Sequence, residues 1–230
     1  MVIDIIKVIP VLDIMNGYVV QAIAGERDKY GPLIYSIVSR SPDPRDVLRG
    51  FKNLGCDTVY IADIDAIIGK GKNDYVIEIA LSLGLKVWTD IGREGLTKTD
   101  SDDIRYIIGT EYLVYPDDLY LLKNKFVSLD IKQNYVLFQN TKLDVVHAAK
   151  LVCDKGAKMI LILFLDRVGT SKGINLEVVN MVKKTCNNID VAVGGGLRNA
   201  EELLLLKKFG VNYALVATAI HKGVIDRCEY

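Results

Sequence analysis

Surplus charge is the first thing this sequence lacks: 29 Lys and Arg balance 29 Asp and Glu over 230 residues. A neutral chain offers no footing for a general nucleic-acid surface, because phosphate-backbone binding is built on excess positive charge. Histidine is scarce, with only His147 and His221, far apart in the chain. The four cysteines, Cys56, Cys153, Cys186 and Cys228, contain no C-x-x-C pair. Without clustered imidazoles or thiols no transition-metal site is expected. No Ser-His-Asp grouping or nucleotide P-loop is present either. Long apolar runs are missing too. The longest, from Met159 to Leu165, falls far short of a membrane span and reads as a fully buried strand. The first residues carry Asp4 and run directly into Pro10 and Asp13, unlike a secretory leader. The expectation is a cytoplasmic protein with reduced, buried thiols and neither membrane nor nucleic-acid partners.

What the chain does have is apolar residues, 50% of the total with a mean hydropathy of +0.21, enough for a sizeable core. Short β-branched runs alternate with longer amphipathic ones from end to end. Strands are predicted over 7–12, 58–62, 85–89, 111–115, 125–129, 158–165, 189–193 and 213–217. Between them, helices are predicted over 43–54, 74–83, 102–108, 116–122, 143–155, 176–184 and 199–209. Asp43-Pro44 and Asn199 with Glu201-Glu202 carry helix-start chemistry. Eight strands with seven intervening helices and a short tail, without a linker or compositional break, predict an α/β fold. The expected form is a closed (β/α)8 TIM barrel as one domain over 1–230. An internal echo suggests two (βα)4 half-barrels, chance likeness being the alternative. Asp63, Gly69, Gly71 and Asn73 precede one helix; Asp166, Gly169, Gly173 and Asn175 precede another.

In such a barrel the C-terminal strand ends face the site. Asp13 and Asp130 end strands one and five, on opposite sides of the mouth. Two carboxylates facing one pocket can divide acid and base work if their environments separate their pKa values. Taken singly, each could merely cap its loop. Gly194, Gly195 and Gly196 follow strand seven and lead into a helix. Residues without side chains let a phosphate approach backbone N–H groups, and barrels commonly bind phosphate here. After strand six, Gly169 and Thr170 either touch substrate or close their own loop.

Together these residues resemble the paired barrels of histidine biosynthesis. These are the isomerase of phosphoribosylformimino-aminoimidazole carboxamide ribotide and the cyclase subunit of imidazole glycerol phosphate synthase. The likeness spans Val8 to about Gly223. It rests on Val8-Ile9-Pro10-Val11-Leu12-Asp13, Gly17-Tyr18-Val19-Val20, Asp63-Ile64-Asp65, Ser128-Leu129-Asp130, Gly169-Thr170 and Gly194-Gly195-Gly196. The resemblance implies Asp13 and Asp130 as the acid/base pair, no cofactor, and a substrate with two phosphates, one held by each half-barrel. Asp63, Gln21 and Thr218 also fall at substrate- or phosphate-binding positions of that family.

The departures are as informative. Where the family has a second Gly-Gly-Gly-Ile-Arg loop after strand three, this chain reads Thr89-Asp90-Ile91-Gly92-Arg93. Asp90 places negative charge where a phosphate would sit, which disfavours a dianion there unless Arg93 or a metal compensates. Gln21 replaces the Arg of the isomerase and the Lys of the cyclase. Val168 precedes Gly169-Thr170 in place of Asp, and Phe164 replaces an acid within strand six. After strand eight, Ala217-Thr218 is closer to the cyclase's Ala-Ser than to the isomerase's Gly-Arg. These features imply a divergent, archaeal-type relative. The leading expectation is an isomerase using Amadori-type chemistry on a phosphorylated, sugar-like metabolite, either the histidine intermediate or an altered substrate. A lyase or cyclase with the same pair is the second reading, with no glutaminase partner expected. A non-catalytic barrel that binds a phosphometabolite is the third.

Overall fold

The computed structural model describes residues 5–230; Asp4, used above against a leader, lies outside them. Eight parallel strands form the barrel: β1 (Lys7–Met15), β2 (Thr58–Asp63), β3 (Lys86–Asp90), β4 (Ile104–Gly109), β5 (Phe126–Lys132), β6 (Met159–Phe164), β7 (Asp190–Gly194) and β8 (Tyr213–Val216). Each pairs with its sequence neighbours. β8 returns to β1 through Lys7↔Tyr213 to Pro10↔Val216, which closes the ring. The outer layer includes α1 (Pro44–Asn53), α2 (Asp74–Ser82), α3 (Val145–Asp154), α4 (Leu176–Thr185) and α5 (Ala200–Lys208).

Local chemistry explains these helices. In α1, Asp43 accepts a hydrogen bond from the N–H of Arg45 at 2.8 Å, and Pro44 opens the first turn with its φ already suited to a helix. Val47, Leu48 and Phe51 then recur on one face and are buried against the barrel. Burying each such side chain stabilises the fold by roughly 1.5–3 kcal/mol. Strand alternation divides the core in two. Val8, Leu12, Val59, Ile61 and Val127 face the helices, whereas Ile9, Tyr60, Trp88, Ile107, Phe126, Met159 and Leu161 fill the barrel. The rings of Trp88 and Tyr213 lie 4.9 Å apart, edge to face, and pack the lower barrel. The polar residues at the upper strand ends are therefore the ones left to line the mouth.

Seven of the eight predicted strands fall within a few residues of the observed ones. The fourth does not. Residues 102–108, predicted helical, contain strand β4, and the predicted strand 111–115 begins with a 3-10 turn at Thr110–Tyr112. Asp102 and Asp103 mimic a helix start. However, Ile104, Tyr106, Ile107 and Ile108 suit a pleated ladder between β3 and β5, and pairing on both sides decides the outcome. The predicted helix 116–122 shrinks to a 3-10 turn, Leu119–Leu122.

The thiol expectation is also corrected. Cys56 pairs with Cys228 and Cys153 with Cys186, leaving no free cysteine. Wide sequence spacing concealed spatial adjacency. The C-terminal segment lies along β1, where the N–H of Val8 donates to the Cys228 carbonyl at 2.9 Å. Cys153 and Cys186 come together because α3 packs beside α4. Paired cysteines remove the thiol argument for a reducing compartment. Among the described residues, no helix is long and apolar enough to cross a membrane.

Candidate active site

The barrel mouth holds an open cavity of about 970 Å³. Its lining brings together Asp13 from the β1 end, Asp90 from β3, Asp130 from β5, and Gly195 and Gly196 beyond β7. β1 and β5 are four places apart in a ring of eight, so Asp13 and Asp130 stand across the mouth from each other. The carboxylate of Asp13 keeps partial access to the cavity. Its apolar surroundings, with Val11 and Ala62 beside it, push its pKa up to about 7 by desolvation alone. Asp130 is buried, with 3% of its surface exposed, and accepts from Ser128 Oγ at 2.7 Å and the N–H of Glu111 at 3.0 Å. Burial, reinforced by the charge of Glu111, holds it well above the usual carboxylate range despite those two donors. The two groups therefore differ in environment: one open to the cavity, the other locked in a network.

A second acidic centre lies between them. Asp90 accepts from the N–H of Gly92 at 2.8 Å and from the Tyr112 hydroxyl at 3.1 Å. Desolvation nevertheless raises it to about 7. Glu111, immediately after β4, forms an ion pair with Arg27 from the loop after β1. Burial also raises the phenol of Tyr30, which shares the lining. Sequence reasoning missed Arg27, Tyr30, Glu111 and Tyr112. Placing β4 correctly would have put Glu111 and Tyr112 at the mouth; nothing local marks Arg27 within its long loop.

The glycine turn occupies the other side. Gly195 and Gly196 have φ of +92° and +89°. A Cβ on Gly195 would meet the Phe164 carbonyl oxygen at 2.4 Å, and one on Gly196 would meet Arg167 Cβ at 2.9 Å. Both positions therefore require glycine. Among the described residues no protein acceptor takes the N–H of Gly196. Such a donor on the cavity wall suits an anion. The nearby arginines are engaged elsewhere: Arg198 Nε with Glu202 at 2.7 Å and Arg167 with the Gly173 carbonyl at 2.8 Å.

Gly169 and Thr218 also line this cavity, and Gly194 forms the strand end beneath the turn. Gln21 lines an adjoining cavity of about 560 Å³ that shares Asp13, Gly169 and Thr218 with the first. Two of the candidate residues are turned elsewhere. Thr170 Oγ1 donates to the Arg167 carbonyl at 2.8 Å and closes its own loop. Asp63 accepts from Ala66 N and from both nitrogens of Asn73, at 2.6–3.1 Å. Asp166, its counterpart in the echo, accepts from Gln133 N at 3.2 Å. The two loops share spacing but not hydrogen bonding. Arg93 does not turn toward Asp90: it makes a two-pronged pair with Asp118, at 2.5 and 2.8 Å.

Residues 7–226 match the family described as histidine biosynthesis protein. An uncharacterised protein of Methanocaldococcus jannaschii is 39% identical over 96% of this chain and 95% of its own length. Two relatives are named 1-(5-phosphoribosyl)-5-((5-phosphoribosylamino)methylideneamino) imidazole-4-carboxamide isomerase. That of Methanothermococcus thermolithotrophicus is 30% identical over 96% of this chain and 97% of its own length. That of Methanosphaera stadtmanae is 29% identical over 95% of each.

Proposed function

The chain belongs to the histidine-biosynthesis protein family, and on that premise we propose that it is a cofactor-free isomerase of a sugar-like metabolite carrying one phosphate. The observation that carries this reading is the placement of Asp13 and Asp130 on opposed strands of one cavity, each with a raised proton affinity. Asp130, whose proton affinity burial and the charge of Glu111 raise, suits the acid that protonates the ring oxygen as the ring opens. Asp13, poised near 7, suits the base that removes the proton from C2. The resulting enol collapses to the ketose as C1 gains a proton. Relatives named as isomerases support this reaction class.

The phosphate would rest on Gly195 and Gly196, holding the reacting carbons between the carboxylates through binding remote from the chemistry. A single phosphate is favoured because the β3 end has no cradle. The N–H of Gly92 already donates to Asp90, Ile91 fills space with a buried side chain, and Arg93 is held by Asp118. The relatives' printed substrate, by contrast, names two phosphoribosyl groups. The test is a parallel isomerisation assay of that bisphosphorylated ribotide and of aldose and aminoaldose monophosphates. Turnover of a monophosphate, with the ribotide at least tenfold poorer in kcat/KM, is expected. Efficient turnover of the ribotide alone would overturn the altered substrate.

A further inference from the structure

Within that same cavity we infer that the substrate carries a protonated amine at the end remote from its phosphate. The inference rests on the phosphate reading above and concerns the opposite wall. β3 and β7 are four places apart in the ring, so Asp90 faces the glycine turn across the mouth, as Asp13 faces Asp130. A ligand anchored at Gly195 and Gly196 that passes between the two aspartates reaches Asp90.

The charge at that end is lopsided. Asp13, Asp90, Glu111 and Asp130 all line the cavity, and Arg27 is the one cation among the described lining residues. Arg27 is already paired with Glu111. Asp90 is 8% exposed. Its Oδ1 accepts from Gly92 and Tyr112, while its Oδ2 accepts from no described residue. Among the described residues no wholly enclosed side-chain oxygen lacks a partner, so this atom opens to the cavity that Asp90 lines rather than into the core. A buried carboxylate with a vacant acceptor is costly unless a donor or cation meets it. The Asp13 carboxylate also accepts from no described residue, but it has the proton-transfer task. Asp90 has none, and an ammonium supplies both the missing donor and the missing charge. Desolvation raises Asp90 to about 7, and an ammonium beside it would hold it ionised. The wall that would repel a second phosphate thus becomes the wall that selects a cation.

Titration calorimetry at fixed salt and pH, with 3-aminopropyl phosphate and 3-hydroxypropyl phosphate, tests this directly. The amine is expected to bind the wild type at least tenfold more tightly than the alcohol. In Asp90→Asn, shown to be folded by thermal melting, the two are expected to bind within about twofold of each other. Equal or tighter binding of the alcohol by the wild type overturns the amine while leaving the phosphate site standing. So does an unchanged preference in the variant. Binding of neither removes the phosphate site, and the inference with it. The wild-type comparison decides the matter even if the variant does not fold.

Discussion

The hydroxyl of Tyr112 links a backbone amide to a carboxylate of the barrel mouth: it accepts from the N–H of Gly109 and donates to Asp90 Oδ1 at 3.1 Å. Tyr112→Phe leaves the buried amide without an acceptor, costing about 1–3 kcal/mol. It also removes a donor that favours ionised Asp90. A lower denaturant midpoint with an unchanged m-value is expected; an unchanged midpoint would show that water replaces the hydroxyl.

Asp90 also makes stability depend on pH. Its pKa is about 7 when folded against 3.8 unfolded, so the native state binds the extra proton. Its contribution is therefore most favourable below the unfolded value and declines as pH rises from about 4 through 7. A shift of this size corresponds to about 4 kcal/mol. Asp90→Asn should then be more stable than wild type at pH 8, with the advantage vanishing toward pH 4. Comparing the two melting curves removes the opposing effect of His221. Burial lowers that residue to about 4, and it loses stability as pH falls from 6.5 through 4. An advantage that grows toward low pH would contradict this assignment.

The aspartates at the β1 and β5 ends were legible because strand ends can be counted along a repeat. Glu111 and Tyr112 were not. Two aspartates ahead of Ile104 imitate a helix start, and only pairing with β3 and β5 makes that segment a strand. Displacing one strand concealed Glu111 and Tyr112, so that Asp90 was visible in the sequence but the acidic wall around it was not. The disulfides were hidden for a related reason. Cys56 and Cys228 are 172 residues apart and meet only because the C-terminal segment returns along β1.

Those disulfides yield a prediction of their own. Opening Cys56–Cys228 by Cys228→Ser should cost roughly 2–4 kcal/mol, by releasing a long loop in the unfolded chain. A fall in Tm is expected, and wild type under reductant, which opens both bridges, should fall at least as far. Labelling of denatured, unreduced protein should find no thiol; four labelled thiols would show that the cysteines are reduced.

At the glycine turn, Gly196→Ala puts a methyl 2.9 Å from Arg167 Cβ at a φ of +89°. Phosphate binding measured by calorimetry should weaken at least tenfold, with kcat/KM falling by a similar factor. Unaltered phosphate affinity in a folded variant would move the anion site elsewhere.

The central claim, that Asp13 and Asp130 move protons on a phosphate-anchored substrate, is tested most directly by deuterium wash-in. The protein is incubated in D2O with a panel of aldose and aminoaldose monophosphates, and mass spectrometry counts non-exchangeable deuterium. Wild type is expected to introduce one deuterium into at least one monophosphate. Asp13→Asn and Asp130→Asn should each slow wash-in by at least ~10²-fold, as loss of general acid–base catalysis does. Near-normal wash-in by the double variant, or wash-in confined to the bisphosphorylated ribotide, would contradict it.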